Sequence, residues 1–218
     1  VDINFSADSD KWYLKPVEVI ANGVDFSAFK NTSERQYDHT EKFIFLFLGR
    51  IEEQKHPLVL IDFVSKILKE NKGNFVIHVV GDGLMRNQLE ELIEKNNYRE
   101  FINILGFQNN IKDILERSHC LILPSLWEGL PVSLIEASAS KLPIITTPVG
   151  SIPEYFNNSN CFISDIENFH ASMIEVMSNY EIAKVRAKKL YEDNKNVFDI
   201  NAVYFKHKLL YQNCLKQI

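Results

Sequence analysis

Between residues 43 and 146 the chain alternates five short apolar runs, each followed by a turn marked by glycine or proline, with four stretches of helical spacing. The runs are 43–48, 75–80, 102–105, 120–123 and 143–146, and the helical stretches between them are 57–69, 85–95, 111–117 and 131–140. Phe43-Ile44-Phe45-Leu46-Phe47-Leu48 has no polar alternate position, so both faces of that strand must be covered. Buried strands joined by helix-length crossovers pair in parallel, because a parallel neighbour cannot be reached through a tight hairpin. The expected fold is α/β, a doubly wound parallel sheet of Rossmann-like type, followed by helices at 166–177, 181–191 and 200–215.

Such a sheet binds ligands along the carboxyl ends of its strands. Here those ends carry Gly49-Arg50, Gly81-Asp82-Gly83, Gly106-Phe107, Pro124-Ser125 and Thr147-Pro148-Val149-Gly150. After the fourth run comes Glu128-Gly129-Leu130-Pro131, with Glu136 eight positions beyond Glu128. Pro131 suits the first helical position, where a missing N–H is harmless, and Gly129 admits close approach of a ligand. Two carboxylate acceptors beside the free N–H groups of a helix start suit a polyhydroxylated anion, and a nucleotide sugar fits that description. Taken singly, either glutamate also reads as an ordinary helix carboxylate, and Arg50 and Lys55 as surface cations.

A net charge of −5 gives no general affinity for nucleic acid or anionic lipid, so a phosphate site has to be local. The three cysteines, Cys120, Cys161 and Cys214, are far apart and odd in number, which reads as buried thiols in a reducing cytoplasm. No apolar run approaches the roughly 18 residues of a membrane span, so a soluble, cytoplasmic protein is expected. Ahead of the repeats, 17–21 reads as one strand, Asn22-Gly23-Val24-Asp25 as a turn, and 30–42 as a mobile polar loop.

Four ordered motifs now carry a resemblance: Gly49-Arg50-Ile51-Glu52-Glu53-Gln54-Lys55, Gly81-Asp82-Gly83, Pro124-Ser125-Leu126-Trp127-Glu128-Gly129-Leu130-Pro131 with Glu136-Ala137, and Val149-Gly150-Ser151-Ile152-Pro153-Glu154. Together they look like the C-terminal, donor-binding half of retaining GT-B glycosyltransferases of family 4 (glycosyl transferases group 1), from about Pro16 to the C-terminus. The resemblance implies that Arg50 and Lys55 hold a departing diphosphate. It implies that Glu128 meets hydroxyls of the transferred sugar and that Glu136 accepts hydrogen bonds from the ribose. Arg50, Lys55 and Glu128 are therefore the candidate catalytic residues. Gly49, Gly81, Gly83, Gly106, Phe107, Gly129, Leu130 and Glu136 are the candidate donor-binding residues. Gly81 and Gly83 fit a plain structural turn equally well. His56 stands where the family usually has glycine, so the local backbone is open to difference, and Ser151 replaces a second glycine.

The same resemblance implies one half of a GT-B architecture: residues 1–30 as the tail of a preceding domain and hinge, 31–198 as the donor domain, and 199–218 as a helix directed toward an acceptor domain. That last helix could equally just cap this one. No cofactor and no metal are expected, the nucleoside-diphosphate sugar being the substrate. The expected partners are that donor and a saccharide or lipid-linked acceptor held by the other half, with no nucleic acid, and peripheral membrane association is compatible with the full-length enzyme. The expected activity is transfer of a hexose-type sugar with retention, in polysaccharide, lipopolysaccharide or capsule biosynthesis, with this portion alone weak or inactive. A non-catalytic donor-binding subunit and a GT-B nucleotide-sugar epimerase are the alternatives.

Overall fold

The computed structural model describes residues 19–29, 36–71 and 74–215. Six strands form one sheet: β1 (Phe43–Leu48), β2 (Phe75–Val80), β3 (Ile102–Gly106), β4 (Cys120–Leu123), β5 (Ile144–Thr146) and β6 (Phe162–Ile163). Their spatial order is β3-β2-β1-β4-β5-β6, and every neighbouring pair is parallel. The connecting helices are α1 (Val59–Lys69), α2 (Arg86–Lys95), α3 (Ile111–Arg117), α4 (Val132–Ala139) and the short α5 (Ile152–Tyr155). Three more close the chain: α6 (Phe169–Ser178), α7 (Tyr180–Phe198) and α8 (Ile200–Leu215). This is the Rossmann-like, doubly wound arrangement expected from the alternation of apolar runs and helices.

Strand periodicity sorts the core into two halves. Phe43, Phe45 and Phe47 point to one face and pack with Phe63, Ile67 and Phe169, the last stacked on Phe63 at 4.9 Å between ring centroids. Leu46 and Leu48 point to the other face, among Leu121, Leu134, Leu142 and Phe198. Each such side chain, fully removed from water, contributes on the order of 1.5–3 kcal/mol. The strand order reverses between β1 and β4, the place where the loops after two adjacent strands turn to opposite sides and leave a crevice.

Several expectations need correction. Pro131 is not the first helical residue: its ψ of 130° is extended, and α4 begins at Val132. The strand expected at 17–21 lies partly outside the described residues, and Val19–Ala21 is not a strand; Val24 instead makes a single bridge to Asp199. Of the loop expected at 30–42, residues 30–35 lie outside the described residues. The rest is pinned by Tyr37, whose ring meets Phe43 at 4.9 Å and His119 at 5.2 Å. Cys120 and Cys161 are buried thiols, but Cys214 is exposed. The helix expected to end at residue 191 continues to Phe198, because Leu190, Asn194 and Phe198 prolong one buried face. Asn194 breaks the apolar spacing that would have revealed it.

Candidate functional site

The loops after β1 and β4 flank the reversal, and their side chains meet there. Lys55 Nζ lies 2.5 Å from Glu128 Oε1, in an ion pair whose side chains are only 11% and 5% exposed. Ser125 Oγ donates to the same carboxylate oxygen at 2.8 Å, and Gln54 Nε2 donates to Oε2 at 3.3 Å and to the Trp127 carbonyl at 3.0 Å. Leu126 N–H donates to the Gln54 carbonyl at 2.9 Å, so backbone and side chains bind the two loops together. A buried carboxylate is tolerated when it is paired and hydrogen-bonded, and Glu128 is both. Arg50 joins from outside. Its guanidinium pairs with Glu52 at 2.6 Å and donates to Gln54 Oε1 at 3.1 Å, while most of the side chain stays in solvent.

Glu136 is placed differently. It sits half-buried on α4, and no hydrogen bond or ion pair of its carboxylate appears among the described residues. Burial pushes its pKa above the usual glutamate range. Gly129, which directly follows Glu128, has open space where a Cβ would stand, so its backbone can be approached closely. Leu130 follows it, partly buried against the α4 side of the core.

The other glycines are explained by how the loops stack. A Cβ on Gly81, whose φ is 135°, would lie 1.9 Å from the Gly49 carbonyl oxygen, and one on Gly83 would lie 2.5 Å from that of Ile51. Both allow the loop after β2 to lie against the loop after β1, which gives them a packing reason independent of any ligand. Gly49 N–H donates to the Val80 carbonyl and Gly81 N–H to that of Gly106, continuing the sheet past its strand ends. Phe107 is 74% exposed and, with Gly49, Gly81, Gln108 and Ile111, lines a hollow of about 310 Å³ above β1, β2 and β3. Gln108 donates to the Leu105 carbonyl, which leaves its own side-chain oxygen directed away from that bond. A further hollow of about 700 Å³ lies between α2 and the edge strand β3, lined by Glu90, Glu94 and Arg99; it includes none of the motif residues.

His56 takes the left-handed conformation, φ 53° and ψ 48°, after the short turn Glu53–Lys55. A left-handed conformation is the kind that glycine adopts most easily, and here a histidine takes it. Burial lowers its pKa, and its Nδ1 is buried without a hydrogen bond.

Sequence reasoning missed Gln54, Ser125 and Gly150. Ser125-x-x-Glu128 has the spacing of a hydroxyl and a carboxylate that reach one another, and was legible in that form. Gln54 carried no comparable signal, since only the folded approach of two distant loops brings it to Glu128. Gly150, at φ 58°, would place a Cβ 1.8 Å from the Glu128 carbonyl oxygen, and Ser151 N–H donates to the Gly129 carbonyl. The loop after β5 therefore backs the loop that carries Glu128.

A parallel doubly wound sheet with a charged crevice at its reversal is the architecture of one GT-B half. Residues 29–193 match the model of the glycosyl transferases group 1 family, and the chain belongs to that family. It is 29% identical over 211 residues to UDP-Gal:alpha-D-GlcNAc-diphosphoundecaprenol alpha-1,3-galactosyltransferase of Escherichia coli, across 86% of this chain and 52% of that protein. It superposes on a glycosyltransferase from Rickettsia africae with a TM-score of 0.81 at 23% identity, over 92% of this chain and 58% of the other. It covers all of the C-terminal domain of a glycosyl transferase group 1 protein from Francisella tularensis, at a TM-score of 0.67, 19% identity and 82% of this chain. The chain thus spans about half the length of the curated relative. Among the described residues, no helix is long and apolar enough to cross a membrane.

Proposed function

We propose that this chain is the donor-binding part of a retaining glycosyltransferase that moves a hexose-type sugar from a nucleoside diphosphate to a saccharide or lipid-linked acceptor. The observation that carries the reading is the Lys55–Glu128 pair at the sheet reversal, with the largely exposed Arg50 linked to it through Gln54. A diphosphate bridging Arg50 and Lys55 would have its developing charge balanced as the glycosidic bond breaks, an effect that grows toward the transition state. Glu128, released from part of its contact with Lys55, is then free to accept from sugar hydroxyls. Glu136 would accept from the ribose, which supplies the hydrogen bonds its carboxylate lacks. Phe107 and Gln108 line the hollow that suits the base, and Gly106 immediately precedes them.

The E. coli relative uses a UDP sugar and an acceptor on a lipid diphosphate, which supports the same classes here. Assigning residues 1–30 to a hinge, 31–198 to the donor domain and 199–218 to a connecting helix belongs to this reading. The break between α7 and α8 at Asp199 supports it. Transfer by the 218 residues alone should be weak, because the acceptor is expected on another domain.

Calorimetric titration with UDP, GDP and ADP tests the proposal. At least one should bind with Kd below about 1 mM. Arg50→Ala and Glu136→Ala should each weaken that binding about tenfold or more, the worth of roughly 1.5–3 kcal/mol expected for hydrogen bonds to charged groups. If none of the three nucleotides binds, or both variants bind as the parent does, the assignment is wrong.

A further inference from the structure

Next to the Phe107 hollow, and sharing Arg50 with it, lies a second groove of about 600 Å³, whose lining residues other than Arg50 have no part in the donor reading. It is lined by Trp127, Leu84 and Met85, with Arg50, Gln54 and Glu53 along its rim. Leu84 is 94% exposed and Trp127 52% exposed, so the fold gains almost nothing from burying Leu84 and leaves about half of the Trp127 side chain in water. The backbone that carries the indole is held in place: the Trp127 carbonyl accepts from Gln54, and Gln54 also donates to Glu128. The groove is therefore joined to the centre of the candidate site by one amide side chain.

Its chemistry is selective. A flat aromatic face flanked by aliphatic side chains offers contact to the C–H face of a ring, and the rim amide and carboxylates offer acceptors and a donor to hydroxyls. Of its charges, Arg50 is already paired with Glu52 at 2.6 Å, and Glu53 is exposed with no ion pair among the described residues. The net character of the rim is negative, which disfavours a phosphate and leaves a neutral polyol as the complementary occupant.

We propose that the groove between Trp127 and Leu84 is a subsite for a neutral pyranose ring of the acceptor saccharide, with Trp127 as its stacking platform and Glu53 as a hydroxyl acceptor. The identification of the ring as acceptor rests on the glycosyltransferase reading above; the binding of a pyranose does not. It places part of acceptor recognition on this half of the enzyme, beside Gln54 and within reach of the group held at Glu128.

Saturation-transfer NMR on the 218-residue protein, with methyl α-glucopyranoside, methyl α-galactopyranoside and methyl N-acetyl-α-galactosaminide as probes, tests this with and without saturating UDP. At least one glycoside should show transfer to its ring C–H protons, and the signal should persist when UDP is present. Trp127→Ala and Leu84→Ser should reduce it at least about fivefold, Trp127→Phe should retain most of it, and UDP affinity in all three should stay within about twofold of the parent. No transfer to any probe overturns the subsite, as does equal transfer in the parent and Trp127→Ala, or loss of every signal on adding UDP. Failure of UDP to bind while the glycosides still do would remove the donor reading and leave the groove standing.

Discussion

Glu128 and Glu136 are eight residues apart and belong to one motif, yet the fold treats them in opposite ways. Glu128 is nearly inaccessible and fully engaged, by Lys55, Ser125 and Gln54. Glu136 is half-buried and has a raised pKa, with no partner for its carboxylate among the described residues. One carboxylate is therefore part of what holds two loops together, and the other is held at a cost to the empty protein. A site can be built from both kinds of residue, but they should answer mutation differently: Glu128 through stability and function together, Glu136 through function against stability.

The largest expected effect comes from cutting the engaged side. Glu128→Ala leaves Lys55 buried without a counter-charge and should lower unfolding free energy by about 3–5 kcal/mol in urea melts. Lys55→Met combined with Glu128→Leu should lose much less than the two single changes added together. Additive losses would show that the pair is not coupled. Next, Gly150→Ala forces a Cβ into the Glu128 carbonyl at a left-handed φ, and a loss of about 2–3 kcal/mol is expected from the same melts.

Glu136→Gln should act in the opposite sense, raising Tm at neutral pH while weakening nucleoside diphosphate binding. The sign follows from linkage. Burial raises this pKa above its unfolded value, so the ionised carboxylate destabilises the fold above the folded pKa. That penalty disappears as pH falls below the unfolded value. The Tm advantage of Glu136→Gln should therefore shrink toward acid pH; a constant or growing advantage would contradict the desolvation account. The smallest effect is expected at Gly129, where Gly129→Ala meets open space and should stay within about 0.5 kcal/mol of the parent. Its consequence should appear instead as weaker nucleotide binding.

The sheet was legible because β1 and β4 are continuous apolar runs, and β2 an apolar run interrupted only by His78, each closed by glycine or proline, and hydrophobic burial on both faces permits little else. The sixth strand was not, since two residues at Phe162–Ile163 leave no periodicity to read. In the site, Arg50, Lys55, Glu128 and Glu136 were legible from spacing and resemblance. Which carboxylate would be engaged and which left free was not, because that depends on how Gln54 and Lys55 arrive from a loop 74 and 73 residues away in sequence. The His56 backbone was likewise invisible: a left-handed φ in a non-glycine residue is decided by the turn it closes, not by the residue itself.

Val24 pairs with Asp199 as an isolated parallel bridge, its N–H donating to the Phe198 carbonyl at 2.8 Å and its carbonyl accepting from Ile200 N–H at 3.0 Å. A Cβ on Gly23 would stand 3.1 Å from side-chain atoms of Ile200 and Val203, so the incoming backbone lies flat on the first turn of α8. Residues 23–24 and the first turn of α8 are thus riveted to each other, and a swing of α8 would strain the same two backbone bonds.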